Sequence, residues 1–254
     1  MTAPASKIHE LIYRLEALHR SEAPDELELR RLRQEAQRLL AHDPGNAHIA
    51  LGIIACLENR EAEAINQHEM ALRCGWNTQR AINYAIVFQS FYRYDEVIRQ
   101  AQVVMQRYPS HLEAVQVALR NAYAAGRFQL ADQLLAEYRK RVPGEWTSEL
   151  ADIETRVRLV LPMIERLALT DDLIAAMQQP AWALVRTLGG GKKIGINDQA
   201  GDDGEEFLSR TLHLPLTFEA AQALDDQLVK QWAEQEEEWP LDKFVITLRE
   251  QETA

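Results

Sequence analysis

Residues 118–143 read ALRNAYAAGRFQLADQLLAEYRKRVP, and their order of small, large and helix-breaking side chains decides the fold. Ala118-Leu119 and Ala122 come first, Gly126 and Phe128 follow, then Ala131, and Pro143 closes the stretch. Apolar residues recur every three or four positions, the spacing of a helix face. Small residues stand where two helices must approach closely, large ones fill the spaces beside them, and the proline breaks the second helix. The same order recurs upstream. Tyr84-Ala85, Phe88, Tyr94, Val97 and Pro109 make one such unit, and Leu51-Gly52, Ala55, Ala64, Ala71 and Trp76 another. Read as the ends of successive helix pairs, Pro44, Trp76, Pro109 and Pro143 stand 32, 33 and 34 residues apart.

This repeat resembles the tetratricopeptide family, whose helix-turn-helix unit recurs about every 34 residues with the order Leu-Gly, aromatic, Ala, Ala, Pro. The resemblance covers about residues 7–143. The unit at about 7–44 departs from the pattern through the long connection SEAPDELE and reads as a degenerate capping repeat, as terminal repeats often are. The resemblance implies a helical solenoid in which the first helices of successive units line a concave groove. It also implies what sits there: an extended peptide or a segment of a partner protein. Carried over position by position, the groove side chains are Asn46 and Ile49 in the second unit, Gln79, Asn83, Ile86 and Ser90 in the third, and Glu113, Gln116 and Arg120 in the fourth. Asn83 falls where the family often places an asparagine that bonds a peptide backbone. The lysines and arginine of carboxylate-clamp members are missing, since Gln79, Asn83, Glu113 and Val117 stand there, so a C-terminal carboxylate ligand is not expected.

After Pro143 the helical spacing continues. A helix over about 147–168 contains Pro162, which should kink or split it because proline brings no amide to the helix ladder. Another begins at about Asp171 behind a Thr170 cap and reaches Leu188, where Gly189-Gly190-Gly191 breaks it. This pair is expected to close the open end of the solenoid. Beyond the glycines the period changes to that of strands: KKIGIN (192–197), EEFLSRTLHLP (205–215) and KFVITLRE (243–250), the last with Phe244, Ile246 and Leu248 on one face. Between the last two lies a helix from Phe218, capped by Thr217, with an apolar stripe of Phe218, Ala221, Leu224, Leu228 and Trp232. The expected fold is mainly α: a tetratricopeptide-like helical solenoid with closing helices over 1–188, then a small α+β domain of ββαβ order over 189–254. Its first two strands form a hairpin closed by DQAGDDG.

Charge follows the same division. Of 254 residues, 28 are Lys or Arg and 39 Asp or Glu, a formal charge of −11. Residues 197–254 hold fifteen of the acids and four of the bases, which accounts for the whole excess, whereas 73–141 hold ten bases and five acids. Direct DNA or RNA binding is disfavoured, because phosphate neutralisation needs a concentrated basic face. No uncharged apolar run approaches the roughly 20 residues of a membrane span. The opening MTAPASKIHELIYRLE has no signal-peptide core, and two cysteines make no disulfide scaffold. A cytoplasmic location is the expectation.

Motifs with chemistry are few. GGGKK (189–193) is not a phosphate loop, since Arg186 and Lys193 replace the first glycine and the hydroxyl that such a loop needs. Asp198, Asp202, Asp203 and Glu205 gather carboxylates as calcium sites do, but without EF-hand spacing, and read better as a solvated turn. His9, His19, His42, His48, His68, His111 and His213 show no paired metal spacing, and Cys56 and Cys74 read as core residues of the repeat helices. No GxSxG elbow or dinucleotide fingerprint occurs. The aromatic run Tyr84, Phe88, Phe91, Tyr92 and Tyr94 reads as packing between helices. The expectation is therefore a non-enzymatic adaptor or chaperone-like protein without cofactor or metal, holding a partner protein or peptide in its groove. The alternative is an immunity or inhibitor-type protein whose acidic end, including EQEEEW (234–239), blocks a basic surface of a toxin or nucleic-acid enzyme.

Overall fold

The computed structural model describes residues 10–15, 18, 25–109, 111–142, 144, 147–189, 194–201, 207–234 and 239–251. The chain is mainly helical, with a small three-stranded sheet toward its C-terminus. After helical residues 10–15 come α1 (Glu26–Leu39), α2 (Pro44–Leu57), α3 (Glu61–Arg73), α4 (Thr78–Ser90), α5 (Tyr94–Arg107), α6 (Leu112–Ala124), α7 (Phe128–Arg141), α8 (Ser148–Arg166) and α9 (Asp171–Arg186). Then follow β1 (Gly195–Ala200), β2 (Leu208–Leu214), α10 (Phe218–Ala233) and β3 (Phe244–Glu250).

The hairpins α2/α3, α4/α5 and α6/α7 begin at residues 44, 78 and 112, so each starts 34 residues after the last. One set of local devices recurs in all three. The first helix is capped by a side chain: Asp43 accepts from the Asn46 amide, Asn77 from Arg80 and the His111 imidazole from Ala114. Pro44 is thus the first residue of α2, where its fixed φ suits a helix start, and not the end of a preceding pair. The turn to the second helix passes through one left-handed residue, Asn59 (φ 56°), Tyr92 (φ 55°) or Gly126 (φ 72°). The amides of Arg60, Arg93 and Arg127 then reach back to the carbonyls of Ala55, Phe88 and Ala122, and the three arginine carbonyls start the next helices. The turn before α9 repeats this geometry with Ala168 (φ 53°), and the Leu169 amide reaches the Ile164 carbonyl.

The described residues up to Pro109, with Gly189, form one compact unit, and those from His111 to Leu188 and from Ile194 onward form a second. In the first unit α2 packs on both α1 and α3, α4 packs on α2 and α3, and α5 packs on α4. Leu11, Leu15, Leu32, Ala36, Ala47 and Ile54 share one core there. Gly52 lets the His68 ring of α3 lie on α2: a Cβ at residue 52 would stand 2.3 Å from the ring. Phe88, Phe91 and Tyr92 are buried. Cys56 is buried, whereas Cys74, at the end of α3, is exposed and is not a core residue.

In the second unit α6 to α9 pack on one another, and the sheet lies against α8 and α9. Strand β2 is central, antiparallel to β1 (Asp198 opposite Arg210) and parallel to β3 (Leu208 opposite Phe244), with α10 as the crossover. Alternation buries Leu208, Arg210, Leu212 and Leu214 of β2 with Phe244, Ile246 and Leu248 of β3. Ser209, Thr211 and His213 point to the half-buried other face, where Thr211 and Thr247 hydroxyls meet at 3.2 Å.

Several expectations shift. Strand β1 runs from Gly195 to Ala200, so Asp198 lies in a strand and not in a turn. Strand β2 starts at Leu208. Residues 190–193, 202–206 and 235–238, which hold most of GGGKK and EQEEEW and the end of DQAGDDG, lie outside the described residues, as do Pro143, His9, His19 and the start of SEAPDELE. Pro162 does not split its helix: α8 is continuous from Ser148 to Arg166, and Pro162 sits on its exposed side, where a turn short of one amide bond meets water. Phe218 is 53% exposed, so the buried stripe of α10 is Ala221, Leu228 and Trp232.

Candidate functional site

In the first unit, α4 presents a continuous stripe. Residues 79, 83, 86 and 90 recur at intervals of four and three, so they share one side of the helix, while Ala81, Ile82, Ala85 and Phe88 are buried. Gln79 is exposed and donates through Nε2 to the Asn83 Oδ1 at 3.2 Å. That bond leaves the Gln79 carbonyl as an acceptor and the Asn83 NH2 as a double donor, one turn from Ile86, which is 39% exposed. An amide pair beside an apolar side chain offers a backbone N–H and C=O their complements. Ser90 ends the stripe differently, turned to the buried Cys56 thiol of α2. Burial pushes that thiol up to about 12, against the opposing effect of the Ser90 hydrogen bond, so Cys56 stays protonated and inert.

Helix α2 adds less than expected. Asn46 is half-buried, and its Nδ2 donates to the Asp43 carboxylate at 2.8 Å. Ile49 is only 3% exposed: it packs in the core and is not a groove residue. Counting apolar positions along α2 does not separate its faces, because nine of its fourteen residues are buried.

In the second unit, α6 carries Glu113, Gln116 and Arg120. Glu113 is exposed. Gln116 donates to the Tyr138 hydroxyl of α7 at 3.1 Å, and Arg120 Nε meets the Glu149 carboxylate of α8 at 2.9 Å. Both are engaged by neighbouring helices.

A more elaborate buried polar group lies elsewhere in this unit. Arg210 of β2 is fully buried. Its Nε and Nη2 donate to the two oxygens of Asp198 at 2.7 and 3.0 Å, a bidentate pair. Nη1 donates to the Ala124 carbonyl at the end of α6 and to the Gln178 Oε1 of α9, both at 3.1 Å. The guanidinium lies 4.7 Å from the ring centroid of Phe128 and 5.2 Å from that of Tyr123. The Tyr123 hydroxyl completes the set by donating to Asp198 at 2.7 Å. Burial, then the Asp198 charge, push the Tyr123 phenol up, so it remains a donor. Gly126 matters here as well: a Cβ on it would stand 1.8 Å from the Gln178 Nε2. In the sequence the cluster shows only as an arginine at an inward position of LSRTLHL (208–214), a sign that periodicity alone does not interpret. The carboxylates considered for a cation are not assembled here, since Asp198 is committed to Arg210 and Asp202, Asp203 and Glu205 lie outside the described residues.

Among the described residues, no three His, Cys, Asp or Glu side chains gather as metal ligands, and no helix is long and apolar enough to cross a membrane. Comparison of the chain with protein-family models, curated proteins and solved structures finds no match.

Proposed function

We propose that this chain is a non-enzymatic, cytoplasmic protein-interaction protein, adaptor or chaperone-like, built on a tetratricopeptide-like solenoid that holds an extended segment of another protein against its first helices. The observation that carries this reading is the α4 stripe, where the Gln79–Asn83 amide pair stands beside the exposed Ile86 on the first helix of a hairpin that recurs every 34 residues. A peptide backbone supplies the donor and acceptor that the amides lack, and an apolar side chain of the segment meets Ile86.

The experiment is capture from the native cell with the full-length chain, identification of the recovered protein, and titration of its bound segment against Gln79→Ala/Asn83→Ala. The account expects about a tenfold or greater loss of affinity, the scale of one or two lost hydrogen bonds, at an unchanged melting temperature. Undiminished affinity means that this stripe is not the site. The inhibitor reading draws on a different observation, the fifteen acids and four bases of residues 197–254. It predicts instead that Glu219→Lys/Asp226→Lys, both exposed positions of α10, abolishes capture while the α4 variant does not.

A further inference from the structure

The Arg210 cluster joins residues from four places in the second unit: Asp198 and Arg210 from β1 and β2, the Ala124 carbonyl and Tyr123 from the end of α6, Phe128 from the start of α7 and Gln178 from α9. None of these elements satisfies the cluster alone. Without the sheet, the rings of Tyr123 and Phe128 and the amide of Gln178 surround an empty guanidinium-sized space. Without the helices, a fully buried arginine and its carboxylate would have to be hydrated. The sheet is tied down at its margins as well. Arg156 of α8 donates to the Ile196 carbonyl on β1 at 3.1 Å, and the Leu248 amide on β3 donates to Asp225 of α10 at 2.7 Å. Both flanking strands thus spend a backbone group on the surrounding helices, which is how a sheet edge is removed from pairing with other chains.

We propose that Arg210 is a lock that makes the C-terminal sheet and helices α6 to α9 a single cooperative body, so that the acidic C-terminal segment is not a detachable domain despite the change of period at Gly189. A buried charge pair behaves asymmetrically. With both partners present it is near neutral in stability, but removal of one leaves the other charged and dry. Loss of Arg210 therefore disturbs the helices through Tyr123 and Gln178 as much as it disturbs the strands.

Hydrogen exchange read by mass spectrometry on the full chain tests this. In Arg210→Met, the slowest amides of α6, α7 and α9 should exchange faster by the same factor as those of β1, β2 and β3, on the order of a hundredfold or more, while α1 to α5 keep their rates. Acceleration confined to the strands and α10, or no acceleration, overturns the proposal. Should that variant not fold, the unaltered chain serves. As denaturant is added below the unfolding transition, the slowest amides of α6 to α9 and of the sheet should converge on one opening free energy with one denaturant slope. Two separate openings, with the sheet the lower, overturn it.

Discussion

His68 shows what one buried polar residue does to the acid stability of the chain. It is 2% exposed, lies on the bare backbone of Gly52, and neither ring nitrogen has a hydrogen-bond partner among the described residues. Burial alone lowers its pKa from 6.5 to about 4. Between those values the unfolded chain binds a proton that the folded chain does not, so stability falls as pH falls through this window, and the loss is complete below about 4. The size is about 3 kcal/mol. Urea titrations from pH 7 to 4 should show this slope, and His68→Leu should flatten it by most of that amount. An identical slope in the variant would place the acid lability in other groups. At the same scale, Arg210 explains a gap in what the sequence disclosed. Alternation in LSRTLHL predicts a strand with an inward Leu, Arg, Leu, Leu series, but the partners of the arginine lie 12, 32 and 86 residues away in the chain. No local pattern carries that pairing.

At the scale of elements, the left-handed turns separate two kinds of position that look alike in backbone geometry. Gly126 needs its missing Cβ twice, for φ 72° and for the close approach of Gln178 and Ile174. Ala168 adopts φ 53° with its side chain exposed, so it bears the left-handed strain without a packing reason. Gly126→Ala should lower stability by about 2–4 kcal/mol, summing backbone strain and overpacking. Ala168→Gly should raise it by about 0.5–1 kcal/mol, since the strain relieved exceeds the entropy added to the unfolded chain. Thermal unfolding of the two variants checks both signs, and a stabilising Gly126→Ala would contradict the packing described around Gln178. These elements were largely legible beforehand. The helices between Asp25 and Leu188 and the alternating strands follow from periodicity and caps. The first two strands, by contrast, start three residues later than periodicity places them, and the third one residue later; β1 also runs on through Asp198 and Gln199, which read as turn formers until a buried arginine claims the aspartate. Ile49 reads as a groove position and packs in the core because α2 is apolar on nearly all sides, which erases the facial signal.

On the scale of the molecule, the acidic excess and the fold divide the chain differently. Charge changes near residue 197, whereas the compact units divide between Pro109 and His111. The sheet shares its unit with four helices of the neutral part. Truncation near Gly189 would uncover Tyr123, Phe128 and Gln178, so point substitutions in the full chain are the sounder probes of function. The central claim is that partners are held on the first-helix face. Its most direct test places a photo-crosslinking amino acid at Ile86 on α4 or at Arg99, an exposed position of the second helix α5, and illuminates each full-length chain with its captured partner. The account predicts an adduct from position 86 and none from position 99. Adducts from 99 alone, or equally from both, would contradict it.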